Sequence, residues 1–154
     1  MKPAEYRRMY AAEAEQWWYA GQRAIATGLL EPGLRGLGPE RPRVLDAGCG
    51  TGFNLQGLSR LGRAVGIDLA PEAIAFCRER GVRAVRASLL ALPFENASFD
   101  AVTSFDVLYH AWVTDDRAAV AEMARVVRPG GLLHLSTDWE NYAAIGYPAT
   151  ACAW

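Results

Sequence analysis

The chain has 154 residues, half of them hydrophobic and about a fifth charged, which fits one soluble globular domain around a single core. Sixteen Lys and Arg against seventeen Asp and Glu leave a formal net charge of −1, so there is no basic field to gather nucleic acid and no acidic tail. Cys49, Cys77 and Cys152 are odd in number and form no CxxC pair, which argues against a disulfide framework or a metal cluster and for reduced thiols in a cytoplasmic protein.

Residues 4–30 hold few breakers and many helix formers, with Tyr6, Met9, Tyr10, Ala14, Trp17, Trp18 and Ile25 at helical intervals; one or two amphipathic helices are expected. No apolar run follows the charged start Met1–Arg8, so no signal peptide is expected, and no stretch approaches the ~20 apolar residues that span a bilayer. Gly28, Pro32-Gly33, Gly36 and Gly38-Pro39 read as a loop. From residue 43 short apolar runs alternate with helical patterns. Strands are expected at Arg43–Ala47, Ala64–Asp68, Val82–Val85, Phe99–Ser104 and Leu132–Ser136. Helices are expected through Leu55, Leu58 and Leu61, from Pro71 through Cys77, and over Asp115–Arg128, the last ended by Pro129-Gly130-Gly131. The pattern predicts an α/β fold: a mostly parallel sheet of about five strands with helices on both faces, and ligands beyond the strands' carboxyl ends. Residues 1–39 form a helical cap, 40–137 the core and 138–154 a short tail.

Asp46-Ala47-Gly48-Cys49-Gly50-Thr51-Gly52 follows the first strand and leads into a helix N-terminus, where free N–H groups favour an anion. A dinucleotide fingerprint GxGxxG starting at Gly48 needs glycine at position 53, and that residue is Phe53. A carboxylate at Asp46 repels a pyrophosphate but accepts from an ammonium group. Asp68 ends the second strand, where a carboxylate can accept from both hydroxyls of a ribose. The two together describe a nucleoside that carries an amino acid.

These motifs resemble class I S-adenosylmethionine-dependent methyltransferases, in particular the small-molecule branch that includes ubiquinone- and menaquinone-pathway enzymes. Val44–Gly52 resembles the family's first motif, and Gly66-Ile67-Asp68-Leu69-Ala70-Pro71 its acidic ribose motif. Leu92-Pro93-Phe94, Phe99-Asp100, Val107-Leu108-Tyr109-His110 and Arg125–Gly131 resemble later landmarks. The resemblance implies a Rossmann-like fold and S-adenosyl-L-methionine as cofactor. It further implies methyl transfer to a small-molecule acceptor. Asp46, Gly48, Cys49, Gly50 and Gly52 would border the methionine part, Asp68 and Leu69 the ribose, Ser88 and Leu89 the adenine, and Phe105 the far side. Arg23 resembles an arginine that reaches the cofactor carboxylate in some relatives.

Two departures stand out. The family commonly has Asp where this chain has Ser88, a loss of about 1 kcal/mol of cofactor binding. The usual C-terminal antiparallel strand pair is missing after Ser136, so the chain looks C-terminally truncated, with strand five an edge that a second copy or a partner chain would cover. A cofactor-binding but inactive domain and an NAD-dependent oxidoreductase are the rival functions. His110 is the candidate general base, against a packed histidine as the competing reading. Asp106 and Tyr109 are further candidates. Tyr6, Tyr10, Trp17 and Trp18 are expected to bury against the sheet, Arg7-Arg8 to form a solvated face and Cys49 to be a small filler.

Overall fold

The computed structural model describes residues 3–36 and 41–136. Its five strands are β1 (Arg43–Ala47), β2 (Arg63–Asp68), β3 (Ala84–Arg86), β4 (Phe99–Phe105) and β5 (Val127–Ser136). They form one sheet in the order β3-β2-β1-β4-β5, and every neighbouring pair is parallel. The chain runs outward from β1 to β3 and then returns to lay β4 on the other side of β1. That reversal splays the loops leaving β1 and β4 apart, so a crevice opens at their carboxyl ends.

Alternation along the strands feeds two layers. Leu45, Ile67 and Val102 pack with Ala119, Met123 and Val126 of α5 (Asp116–Val126) on one face. Val44 and Ala101 point the other way, onto Leu58 of α3 (Phe53–Leu61) and Leu30 and Leu34 of α2 (Trp17–Gly36). α4 (Pro71–Glu79) closes the β2–β3 side, with Pro71 in its first turn. α1 (Pro3–Ala12) completes the cap, so the N-terminal segment is two helices.

α2 runs on through Gly28, Pro32 and Gly33, where a loop is expected from sequence. Leu30 and Leu34, one turn apart, are almost fully buried against Val44, Leu58 and Ala101, and this burial outweighs the backbone hydrogen bond that Pro32 removes. β3 starts two residues later than expected, because Gly81 (φ 71°) and the Val82 N–H, bonded to Cys77 O at 3.0 Å, still belong to the end of α4. β5 starts at Val127, which pairs with Phe99, then arches over Arg128–Gly131 and rejoins β4 at Leu132. Arg128 Nε donates to Asp100 at 2.7 Å and Gly130 takes φ 75°, so the Pro-Gly-Gly run makes a bulge inside the strand. No strand pairs with the outer side of β5 among the described residues. The tail at 138–154, with Cys152, lies outside the described residues.

The aromatic expectation for the cap divides. Tyr6 is buried, but Trp17 is 81% and Trp18 56% exposed. The buried stripe of α2, Ala26, Leu30 and Leu34, begins only at the middle of the helix, while Trp18 and Tyr19 in its first turn border a cleft instead of the core. Arg7 and Arg8 are exposed.

Candidate functional site

Three glycines of the loop after β1 adopt left-handed backbone: Gly48 at φ 85°, Gly50 at φ 53° and Gly52 at φ 84°. A Cβ on Gly48 would also lie 2.4 Å from Val107 Cγ2, so the segment after β4 closes directly on the loop. Two consecutive N–H groups, of Gly48 and Cys49, donate to Ile67 O at 2.9 and 2.8 Å. Gly50 N donates to Asp68 Oδ2 at 3.0 Å. The tip of β2 therefore shapes the loop as well as flanking it.

Asp68 is buried and heavily engaged. Its Oδ1 accepts from Ala70 N at 2.9 Å and from the Tyr6 hydroxyl at 3.4 Å. Burial nevertheless pushes its carboxyl above the usual range, against the opposing bonds from Ala70, Gly50 and Tyr6. Burial, reinforced by Asp68, likewise raises the Tyr6 phenol, which stays protonated as a donor.

Asp46 sits one residue before the end of β1 and is 1% exposed. Its Oδ1 accepts from Thr103 Oγ1 at 2.9 Å, and its Oδ2 has no partner among the described residues. Burial raises its pKa to about 7, opposed by the Thr103 bond and reinforced by the charge of Asp68. A buried carboxylate oxygen without a donor costs free energy unless something fills the space beside it.

That space is a cleft of about 760 Å³ bordered by the loop after β1, the tip of β2, the segment after β4 and the cap. Asp46, Gly48, Cys49, Gly50, Asp68, Phe105 and His110 all line it. His110 is held half-buried between Tyr109 and Trp112, its ring 4.7 and 5.7 Å from theirs, and burial lowers its pKa, so it is neutral at pH 7. Asp106 takes a strained φ of 54°; its backbone N–H donates to Ser136 O at 3.0 Å and its carboxylate accepts from Gln22 Nε2 of α2. The remaining sequence candidates sit differently. Arg23 lies beside the cleft with its guanidinium 4.0 Å over the Phe53 ring. Leu69 is partly exposed, Leu89 is fully buried in the core, and Ser88 Oγ accepts from Leu90 N at 3.2 Å within its own turn. Gly52 packs against Cys77 and Val82, away from the cleft lining.

Glu13 and Arg80 were not visible from sequence. Glu13 accepts from Thr51 Oγ1 of the glycine loop and from Arg80 Nη2 at 2.7 Å. Arg80 also donates to Thr51 O at 2.9 Å and Tyr10 O at 3.4 Å, with its guanidinium 4.2 Å over the Tyr10 ring. One buried ion pair thus bolts the end of α1 to the loop. Burial raises the Glu13 carboxyl despite Thr51 and Arg80, so removing one partner does more harm than the pair's own worth. Glu13→Ala is expected to lower stability by about 3 kcal/mol by leaving the Arg80 charge unpaired; denaturant titration checks this, and a loss under about 1 kcal/mol would contradict the account. The two residues are far apart in the chain, and a lone Glu on a helix carries the same local signal as a solvated one.

The family model described as "Methyltransferase domain" matches residues 45–135, from within β1 to the end of β5. The chain belongs to the methyltransferase domain family. A curated "Ubiquinone biosynthesis O-methyltransferase" of Xanthomonas axonopodis pv. citri is 40% identical over 141 residues, covering 83% of this chain and 58% of that protein. A "Probable S-adenosylmethionine-dependent methyltransferase" of Mycobacterium tuberculosis is 40% identical over 97 residues, 61% of this chain and 35% of that protein. Among solved structures, the SAM-bound amino pentose methyltransferase CalS10 of Micromonospora echinaspora superposes with a TM-score of 0.68 at 31% identity, covering 87% of this chain and 56% of that one. The chain thus spans a little over half the length of the ubiquinone-pathway relative it matches. The parallel, helix-covered sheet is the Rossmann-like core of this family. No described helix is long and apolar enough to cross a membrane.

Proposed function

We propose that the chain binds S-adenosyl-L-methionine in the cleft at the β1–β4 switch point and takes part in methyl transfer to a small-molecule acceptor. The observation that carries the reading is Asp68, a buried carboxylate at the tip of β2 held 3.0 Å from the Gly50 N–H of the glycine loop. The orphaned Asp46 Oδ2 supports it from the other side, because an ammonium group in the cleft would supply the missing donor. The residues present therefore fit a nucleoside with an amino-acid end. When bound, S-adenosylmethionine supplies an electrophilic methyl carbon.

The chain's own contribution is binding, orientation and exclusion of water. Asp68 accepts from the ribose, with Leu69 beside it. Asp46, Gly48, Cys49 and Gly50 border the methionine part, Gly52 shapes the bend behind them against Cys77 and Val82, and Arg23 lies near the ligand's carboxylate. Ser88 and Leu89 neighbour the adenine, and Phe105 the far side. The acceptor enters between the cap and the segment after β4, where Trp18, Gln22, Asp106, Tyr109 and Trp112 line the cleft. His110, neutral at pH 7, takes the acceptor's proton where one has to leave. The free thiols Cys49 and Cys77 accord with work in the reducing cytoplasm. The outer edge of β5, unpaired among the described residues and flanked by the partly exposed Leu133 and Leu135, suits a second copy or a partner chain.

Calorimetry with S-adenosylhomocysteine and with NAD tests the cofactor class: S-adenosylhomocysteine is expected to bind and NAD to give no heat. Equal binding of both would overturn the reading. A methyl-transfer assay with cell extract as acceptor then separates an active enzyme from a domain that only binds.

A further inference from the structure

Cys49 of the glycine loop and Cys77 of α4 face each other with their sulfurs 3.7 Å apart, both buried. The Cys77 thiol also lies 3.4 Å from Gly50 O, so it donates to the loop it touches. Two glycines keep room for the pair. A Cβ on Gly66 would come within 2.6 Å of Cys49 Sγ, and one on Gly52 within 3.0 Å of Cys77 Sγ. Neither thiol has a part in the binding scheme beyond filling space, and the described residues hold no group of three or more ligands that could make the pair a metal site.

We propose that Cys49 and Cys77 form an oxidisable dithiol, and that its conversion to a disulfide by a peroxide disables the glycine loop. Cys49 lines the cleft, which is the path by which a small oxidant reaches the pair. The Cys49 thiol gives up its proton and the thiolate attacks one oxygen of hydrogen peroxide; the O–O bond breaks, leaving Cys49 as a sulfenic acid and a hydroxide that takes up that proton and leaves as water. Cys77 gives up its proton and attacks that sulfur; the S–O bond breaks and a second water leaves. Two thiols lose two electrons and two protons in all, and the peroxide is reduced to two waters. The contact with Cys77, together with burial and the charges of Asp46 and Asp68, holds the Cys49 thiol up, so the first step is slow.

A disulfide needs its sulfurs about 2.05 Å apart, so they must close by more than 1.5 Å or so. Cys77 sits within the hydrogen-bonded helix α4, whereas Cys49 sits outside any helix or strand, on a loop whose Gly48, Gly50 and Gly52 leave the backbone free to turn, and the loop is the part that moves. It then loses the Cys77–Gly50 bond and shifts under the cleft floor. By reciprocity, a ligand that holds the loop in its reduced geometry opposes the disulfide. This consequence rests on the cofactor reading above; the chemistry of the pair does not.

The test uses the full chain carrying Cys152→Ser, which leaves two thiols, treated with hydrogen peroxide. The expected result is loss of both thiols, a mass about 2 Da lower and a cross-linked Cys49–Cys77 peptide. S-adenosylhomocysteine then binds at least about tenfold more weakly, dithiothreitol restores the affinity, and excess S-adenosylhomocysteine present during exposure slows the oxidation. Adding Cys77→Ala makes affinity insensitive to peroxide; should that variant lack native circular dichroism, Cys77→Ser serves instead. Thiols that survive treatment, a lone sulfenic acid, or a linked protein that binds as tightly as the reduced one would each overturn the proposal. Reduced protein that never binds S-adenosylhomocysteine would sink the cofactor reading and with it the disabling step, while the mass still decides the dithiol.

Discussion

Asp68→Ala is expected to weaken S-adenosylhomocysteine binding by roughly 1.5–3 kcal/mol, on the order of ten- to a hundredfold, measured by calorimetry at pH 7.5 or so. Two effects add. The variant loses a charged acceptor for the ribose hydroxyls. It also frees the N–H groups of Gly50 and Ala70, now bonded to Asp68 at 3.0 and 2.9 Å, so the loop is no longer held for the ligand. Asp68→Asn separates them, because an amide oxygen still accepts one bond but carries no charge. Stability should fall far less than affinity: burial already raises the Asp68 carboxyl, so the ionised group is costly to the empty fold. An affinity within twofold or so of the parent would remove Asp68 from the site and the nucleoside reading with it.

Asp46→Asn should move stability and binding in opposite directions. The folded pKa of Asp46 is about 7 against 3.8 for the free side chain, so the fold favours the protonated form. That contribution is complete below about pH 4, fades as pH rises and is gone once pH passes about 7. Above that point the ligand-free chain carries a buried charge with Oδ2 unpartnered. The asparagine variant is neutral and nearly isosteric, and its oxygen still accepts from Thr103. Its unfolding midpoint should match the parent below about pH 4, exceed it modestly at pH 5 or so and exceed it most at about pH 8, with at most about 4 kcal/mol between them. Binding should show the reverse. Parental affinity for S-adenosylhomocysteine rises through pH 6 to 8 or thereabouts as the carboxylate ionises to meet the ligand's ammonium, whereas the variant is weak and flat. A variant that binds like its parent at both ends of that range would show that Asp46 only braces Thr103.

β1 was legible to the residue, because the short stretch carrying Val44, Leu45 and Ala47 is bounded by Pro42 and Gly48. The helix through Leu55, Leu58 and Leu61, the Pro71 start and a helix opening near Asp115 were legible for similar local reasons, although Asp115 is the N-cap of α5 and the helix ends at Val126, not Arg128. α2 was misread at Gly28 and Pro32 because breaker signals are local, while the burial of Leu30 and Leu34 that overrides them is not. β5 was misread at its start because Val127 joins the sheet only through Phe99, a partner remote in sequence.

The amino-acid order alone determined the alternation of strands and helices, the glycine spacing and the acidic residue closing β2, since each depends on neighbours within a few positions. Tertiary structure decided what touches what across long separations. Tyr6 reaches Asp68 across 62 residues, Arg80 reaches Glu13 across 67, and Cys49 meets Cys77 across 28. Backbone conformation and periodicity are short-range properties written in the order of residues. A contact such as that of Glu13 with Thr51, 38 residues apart, exists only once the sheet has placed both.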